Sequence, residues 1–174
     1  MKTIHDVKGK RVTGEYPAQL AGWYNQYGSL ANGGLTWNDV KVVPVPGLNE
    51  GMDALVQGRA EVAQYAVGTA KVKEADAAVG VRYLNLDCSP LGEERIKKAI
   101  PGYYLVTLKN GASTCIVGDT CVYAYDIYFI GHKTLPDAVV QSTLKAVWEN
   151  FDKLLPLHPS FKEWTRERAV DPDV

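Results

Sequence analysis

Residues 121–131 read CVYAYDIYFIG, with Tyr123, Tyr125, Tyr128 and Phe129 around a single charge, Asp126, and neither a proline nor an internal polar break. Such a run is expected as a strand covered on both faces. Its cover must come from other elements of this chain or from a partner, so this segment constrains the fold more than any other.

Composition sets the outer limits. A chain of 174 residues has room for one ordinary domain with a real core, but not for two full α/β domains. Hydrophobic content of 46% and charged content of 22% exclude a disordered polypeptide. Nineteen Lys and Arg against 20 Asp and Glu leave a net charge of -1, which provides no field to attract nucleic acid or an anionic bilayer. No apolar run approaches the roughly 20 residues that span a membrane, and the opening MKTIHDVKGKRV lacks the apolar stretch of a signal peptide.

Cys88, Cys115 and Cys121 are too few for a disulfide framework, and none sits in a CxxC pair. Cys115 and Cys121 flank IVGDT, a turn-like segment that would let them bridge in an oxidising compartment. The other reading, small apolar filler, is preferred for Cys88.

The N-terminal half alternates strand and helix. KRVTGEY is a short β-branched run, and the following PAQLAGWYNQYGSLANGGL places Leu20, Trp23, Tyr24, Tyr27 and Leu30 at helical spacing, with Pro17 at the first helical position. Gly33 and Gly34 close that helix. The texture repeats as VKVVPV, a PGLNEG turn and MDALVQG, then as AEVAQYAV, a GT turn and AKVKEADAAVG, before a fourth strand at VRYLNLD. Four strands separated by three helices predict consecutive βαβ units and a parallel sheet.

Beyond Pro90 the pattern changes. GEERIKKA predicts a short helix, and PGYYLVTLKNGAS an extended segment turning at Asn110 and Gly111. LPDAVVQSTLKAVWENFDKLL puts Val140, Leu144, Val147, Trp148, Phe151, Leu154 and Leu155 on one helical stripe, and HPSFKEWTRERA adds a shorter helix. That stripe needs a sheet to cover it, and residues 121–131 alone are too little.

DVKGKRV, GMDALVQGRAEV, IPGYY and above all LPDAVVQSTLKAVWENFDKLLPLHPSFKEWT resemble the TAXI-family solute receptors of tripartite ATP-independent periplasmic (TRAP) transporters, over nearly the whole chain. The resemblance implies an α/β, periplasmic-binding-protein-like fold of type II, in which residues 1–120 form the second lobe with a parallel or mixed sheet. Residues 121–174 would be the hinge strand and C-terminal helices of an incomplete first lobe. It further implies a periplasmic receptor with no cofactor, holding a small organic anion such as an amino acid or dicarboxylate in an interlobe cleft and delivering it to a TRAP-type permease. The family's first lobe has no N-terminal counterpart here, so either a trimmed chain or self-association through the hinge strand and tail helices is expected to account for the uncovered surface.

In an open parallel sheet, ligands sit at the carboxyl ends of the strands, where turns lead into helices and free N–H groups point outward. TGEYPAQ, PGLNEG and AVGTAK are those turns here. Gly14 permits a close approach, Tyr16 offers a ring and a hydroxyl, and Gln19 lies in the first helical turn. Tyr65 is read as a cleft wall, and Gly68 with Thr69 as a ligand contact or, for Thr69, a helix cap. Tyr103 and Tyr104 match a family tyrosine near the cleft, with Tyr104 the candidate, although either also reads as core. Glu15 and Pro17 stand where the family places a Ser/Thr-rich turn; the first adds negative charge and the second removes an N–H donor. Asp126 needs a partner on so apolar a strand, or else a solvated edge.

Signatures of catalysis and metal binding are missing from the sequence. His5, His132 and His158 are scattered without HExxH spacing, and no GxSxG, GxGxxG or GxxxxGK[ST] motif occurs. Glu93 and Glu94 are adjacent and diverge on a helix. A binding protein is expected rather than an enzyme. The rival readings are an enzyme lobe, with Cys88 as its reactive group, and a dimerising regulatory or structural module.

Overall fold

The computed structural model describes residues 1–157, 159–167 and 169. His158, one of the three scattered histidines, lies outside them. The chain is mixed α/β and divides into two compact units, Met1–Asp126 and Ile127–Val174.

In the first unit, β1 (Arg11–Glu15) and β2 (Lys41–Val45) pair in parallel, from Arg11 opposite Lys41 to Glu15 opposite Val45. Val12, Thr13 and Gly14 are buried. Gly14 is required by packing, since a Cβ there would stand 2.8 Å from Val42 Cγ1 and 3.1 Å from the Trp37 ring.

The third and fourth predicted strands shrink to single bridges, Val62 beside Val12 and Asn85 beside Thr3. At Val62 the pairing is local, with Thr13 N–H donating to Val62 O at 3.0 Å and Val62 N–H to Arg11 O at 3.1 Å. Ala60, Ala63 and Ala66 give this segment little side-chain surface to pack on a pleated sheet.

Helix α1 (Leu20–Asn32) follows β1; of the predicted stripe Leu30 is buried and Trp23 and Tyr27 are half-buried, but Leu20 and Tyr24 turn outward. Leu20 is 60% exposed and Tyr24 46%, whereas Gly22, Asn25, Gln26, Gly28, Ser29, Leu30 and Asn32 are buried. The glycines explain the rotation, because Cβ atoms at Gly22 and Gly28 would lie 3.0 Å from the Tyr16 ring and 3.2 Å from Ile100. Close backbone approach at these glycines adds to the contact that Leu30 makes in the core. Pro17 is not the first helical residue: positive φ at Glu15 (69°) and Tyr16 (47°) turns the chain sharply, and the helix begins three residues after Pro17.

Helices α2 (Leu48–Val56) and α3 (Ala70–Val79) follow β2 and the Val62 segment. α4 (Pro90–Ala99) has Ser89 as N-cap, accepting from Gly92 N–H at 3.2 Å, and a proline at its start. β3 (Tyr104–Leu108) and β4 (Thr120–Ala124) form an antiparallel pair, from Tyr104 opposite Ala124 to Leu108 opposite Thr120. The Asn110–Gly111 turn is present, with Gly111 at φ 75° and Asn110 Oδ1 accepting from Gly118 N–H at 2.9 Å.

The doubly covered strand expected over 121–131 therefore stops at Ala124. Its partner β3 begins at Tyr104, so nothing in that ladder pairs with residues beyond, and Ile127, Phe129 and Ile130 are 75, 71 and 94% exposed. The Cys115–Cys121 bridge that the IVGDT turn would permit is not formed, and Cys88, read as small apolar filler, is instead one half of a disulfide. Cys121 is joined to Cys88, with Cα atoms 6.0 Å apart, and Cys115 is a buried free thiol. The reason is chain placement: Leu86 N–H donates to Cys121 O (3.0 Å) and Cys121 N–H to Asn85 Oδ1 (2.6 Å), which lays residues 85–88 against β4.

The main core gathers Ile4, Val7, Val12, Leu30, Val62, Leu86 and Cys121, and a second cluster unites Met52, Val72, Ala75 and Cys115.

In the second unit, α5 (Asp137–Glu149) and α6 (Phe151–Leu154) divide the predicted long helix at Asn150, whose φ is -115°. Asn150 Nδ2 donates to Ala146 O, and its Oδ1 accepts from Lys153 Nζ at 2.7 Å. Trp148 packs on Phe151 with centroids 5.3 Å apart, and Phe129 meets Trp164 edge-on at 5.6 Å. No residue of α5 is buried; Val140 and Leu144 are 40 and 45% exposed. Among the described residues no helix is long and apolar enough to cross a membrane.

Candidate functional site at the carboxyl ends of β1 and β2

Parallel pairing places the carboxyl ends of β1 and β2 side by side, and the chain turns from each into a helix. Gln19, the residue before α1, sends its Oε1 to the N–H of Leu48, the first residue of α2, at 3.1 Å. Two of the three predicted turns are thereby tied together. The amides of Asn49 and Glu50, in the first turn of α2, have no acceptor within their own helix.

Tyr65 joins the same end by donating to Asn49 Oδ1 at 2.6 Å. Gly68, at φ 83°, forms the turn into α3, a conformation that glycine adopts without strain. Thr69 is the N-cap residue by position, but its hydroxyl makes no cap hydrogen bond and donates to Ala66 O at 3.2 Å. Tyr83 also donates to Ala66 O, at 2.9 Å, which fixes this turn from beneath.

Tyr16 is placed differently from the expectation. Left-handed backbone at Glu15 and Tyr16 folds the ring under the turn, where it is fully buried against Gly22 and shares a 2.5 Å hydrogen bond with Thr13 Oγ1. Its ring is unavailable to a solute. Burial pushes its pKa up, against the opposing effect of hydrogen bonds from Thr13 and the Gln64 backbone.

Tyr104 donates to Asp126 Oδ1 at 3.1 Å, which supplies the partner that this carboxylate was expected to need. Tyr103 hydrogen-bonds Asn25 Oδ1 and stacks on Tyr123 and Tyr125, with centroids 5.0 and 5.1 Å apart. Gln64 Nε2 donates to the Tyr123 hydroxyl at 2.6 Å and so connects this stack to the segment that carries Tyr65. Burial raises the pKa of Tyr123 well above its ordinary value, with neighbouring tyrosines adding to the effect.

Asn49 and Gln64 are the residues that sequence reasoning missed. Asn49 was inside the quoted PGLNEG turn, so its position was visible; Gln64 was hidden in a segment read as regular strand.

Charge at this end is mostly negative. Glu15 and Glu50 are exposed, and Glu50 Oε2 lies 3.0 Å from where a Cβ on Gly47 would sit, beside Gln19 Oε1 at 3.4 Å. Lys71, in the first turn of α3, is held by Asp53 at 2.7 Å, and that hydrogen bond raises the lysine pKa. Among the described residues no group of three or more His, Cys, Asp and Glu is arranged to hold a metal ion.

A family model described as NMT1-like family matches residues 1–174, a family related to periplasmic binding proteins. No curated protein matches the chain.

Proposed function

The chain belongs to the NMT1-like family, and from that premise we propose that it is a non-enzymatic solute receptor whose ligand is a small zwitterion of amino-acid type. The solute lies against the carboxyl ends of β1 and β2. Its carboxylate takes the free first-turn amides of α2, where the helix dipole favours negative charge. Its ammonium group faces Glu15 and Glu50. Gln19, Asn49 and Tyr65 frame the site as neutral hydrogen-bonding groups already linked to one another.

The observation that carries the choice of a zwitterion is the charge balance. A dicarboxylate would bring a second negative group toward two exposed carboxylates, while the nearby Lys71 is already engaged by Asp53. Like-charge contact of that kind disfavours binding. The likeness of the C-terminal segment to TAXI receptors supports delivery of the solute to a TRAP-type permease outside the cytoplasm.

A thermal-shift panel of amino acids and dicarboxylates tests the reading. An amino acid at 100 times its dissociation constant adds about 2.7 kcal/mol of stability, enough for a clear upward shift. Stabilisation by dicarboxylates alone rejects the zwitterion, and no shift with either class rejects a receptor for these solutes.

A further inference from the structure

The disulfide is unequal at its two ends. Cys121 is 4% exposed on β4, while Cys88 is exposed in the turn just before the Ser89 cap of α4. Both residues line a solvent-open cavity of about 290 Å³, together with Thr3, His5, Asn85, Thr107 and the carboxylates of Asp87 and Asp119. The Thr107 hydroxyl lies 3.8 Å from Cys88 Sγ. This cavity shares no lining residue with the proposed solute site.

An attacking thiolate must reach one sulfur of a disulfide in order to displace the other, so access selects the sulfur that is modified. We propose that Cys88 is a site of S-thiolation by a low-molecular-weight thiol that enters this cavity. The incoming thiolate forms a bond to Cys88 Sγ as the Cys88–Cys121 bond breaks. The electron pair of the broken bond passes to Cys121 sulfur, which then takes a proton from water. One disulfide is exchanged for another, and no external oxidant or reductant is consumed.

The geometry also provides for survival of the fold. Cys121 keeps its backbone hydrogen bonds to Leu86 and Asn85, and its pairing with Thr107 in the β3–β4 ladder, none of which passes through sulfur. Cys115, buried in the second core cluster, supplies an internal comparison thiol.

The test uses the full chain at pH 8 without denaturant, treated with excess reduced glutathione, quenched in acid and mapped by peptide mass. A glutathione adduct on Cys88 is expected. An adduct on Cys121, or exchange that begins only in denaturant, overturns the proposal. Because the mixed disulfide can be resolved by Cys121, the variants Cys121→Ser and Cys88→Ser are also treated with oxidised glutathione. Both lose the same bond. Modification of Cys88 in the first should exceed that of Cys121 in the second by about tenfold or more, as expected for an accessible against a buried thiol. Equal rates in two variants with native circular dichroism overturn it; if either variant unfolds, the wild-type adduct decides.

Discussion

The side chain of Asn32 grips the backbone of Asp87 at both of its polar groups. Asn32 Oδ1 accepts from Asp87 N–H at 2.8 Å, and Asn32 Nδ2 donates to Asp87 O at 2.9 Å and to Gly92 O at 3.1 Å. The asparagine is completely buried at the end of α1, so one side chain joins that helix to the entry of α4.

Asn32→Ala is expected to cost about 3 kcal/mol, because three hydrogen bonds vanish and partly buried backbone groups lose their partners. Urea unfolding gives the value. Gly92→Ala strikes the same junction by another route, since its Cβ would lie 2.1 Å from Asp87 O, and should destabilise by at least about 2 kcal/mol. A loss below about 0.5 kcal/mol in either variant contradicts this description of the junction.

Alkaline conditions should weaken the fold earlier than its carboxylates and lysines alone would suggest. Burial raises the pKa of Tyr16, Tyr83 and Tyr123, and that of Tyr103 to about 12. In the unfolded chain tyrosine loses its proton near pH 10. Above that value the unfolded state binds fewer protons than the folded state, so stability falls as pH rises. The contribution is whole below about pH 10 and is lost on the way to and beyond pH 12. Urea midpoints at pH 8, 10 and 11.5 should fall over the last interval, with tyrosinate absorbance near 295 nm developing in step with unfolding.

Gln19→Ala removes the acceptor for Leu48 N–H and should cost about 1 kcal/mol of stability. Calorimetry on the same variant should show weaker solute binding, by about fivefold for a comparable loss at the site.

The pair Glu15→Gln and Glu50→Gln separates the electrostatic part of the proposed function. Combined, the two changes should lower affinity for an amino acid and raise affinity for a dicarboxylate. An unchanged preference would place recognition elsewhere.

The second unit should tolerate polar replacements on α5 that a packed helix would not. Leu144 is 45% exposed, so Leu144→Gln should change stability by less than about 0.5 kcal/mol. Fluorescence of a hydrophobic dye should drop in that variant and in Phe129→Ser, since both remove exposed apolar surface.

Local pattern sufficed for much of this architecture. The β-branched runs at 11–15 and 41–45, the helices after them, the short helix over GEERIKKA and the Asn110–Gly111 turn all follow from spacing and turn chemistry, which act within a few residues. The turns at the strand ends were legible for the same reason, and with them the neighbourhood of Gln19, Tyr65 and Gly68. Side-chain direction at those turns was not. Positive φ at Glu15 and Tyr16 sends the Tyr16 ring inward, and nothing in TGEYPAQ distinguishes that from the outward choice. The rotation of α1 onto its glycines, the pairing of Cys88 with Cys121 rather than Cys115, and the end of β4 at Ala124 each depend on which distant segment lies alongside. Such contacts are set by close packing and backbone hydrogen bonding between residues tens of positions apart, where periodicity along the chain carries no information.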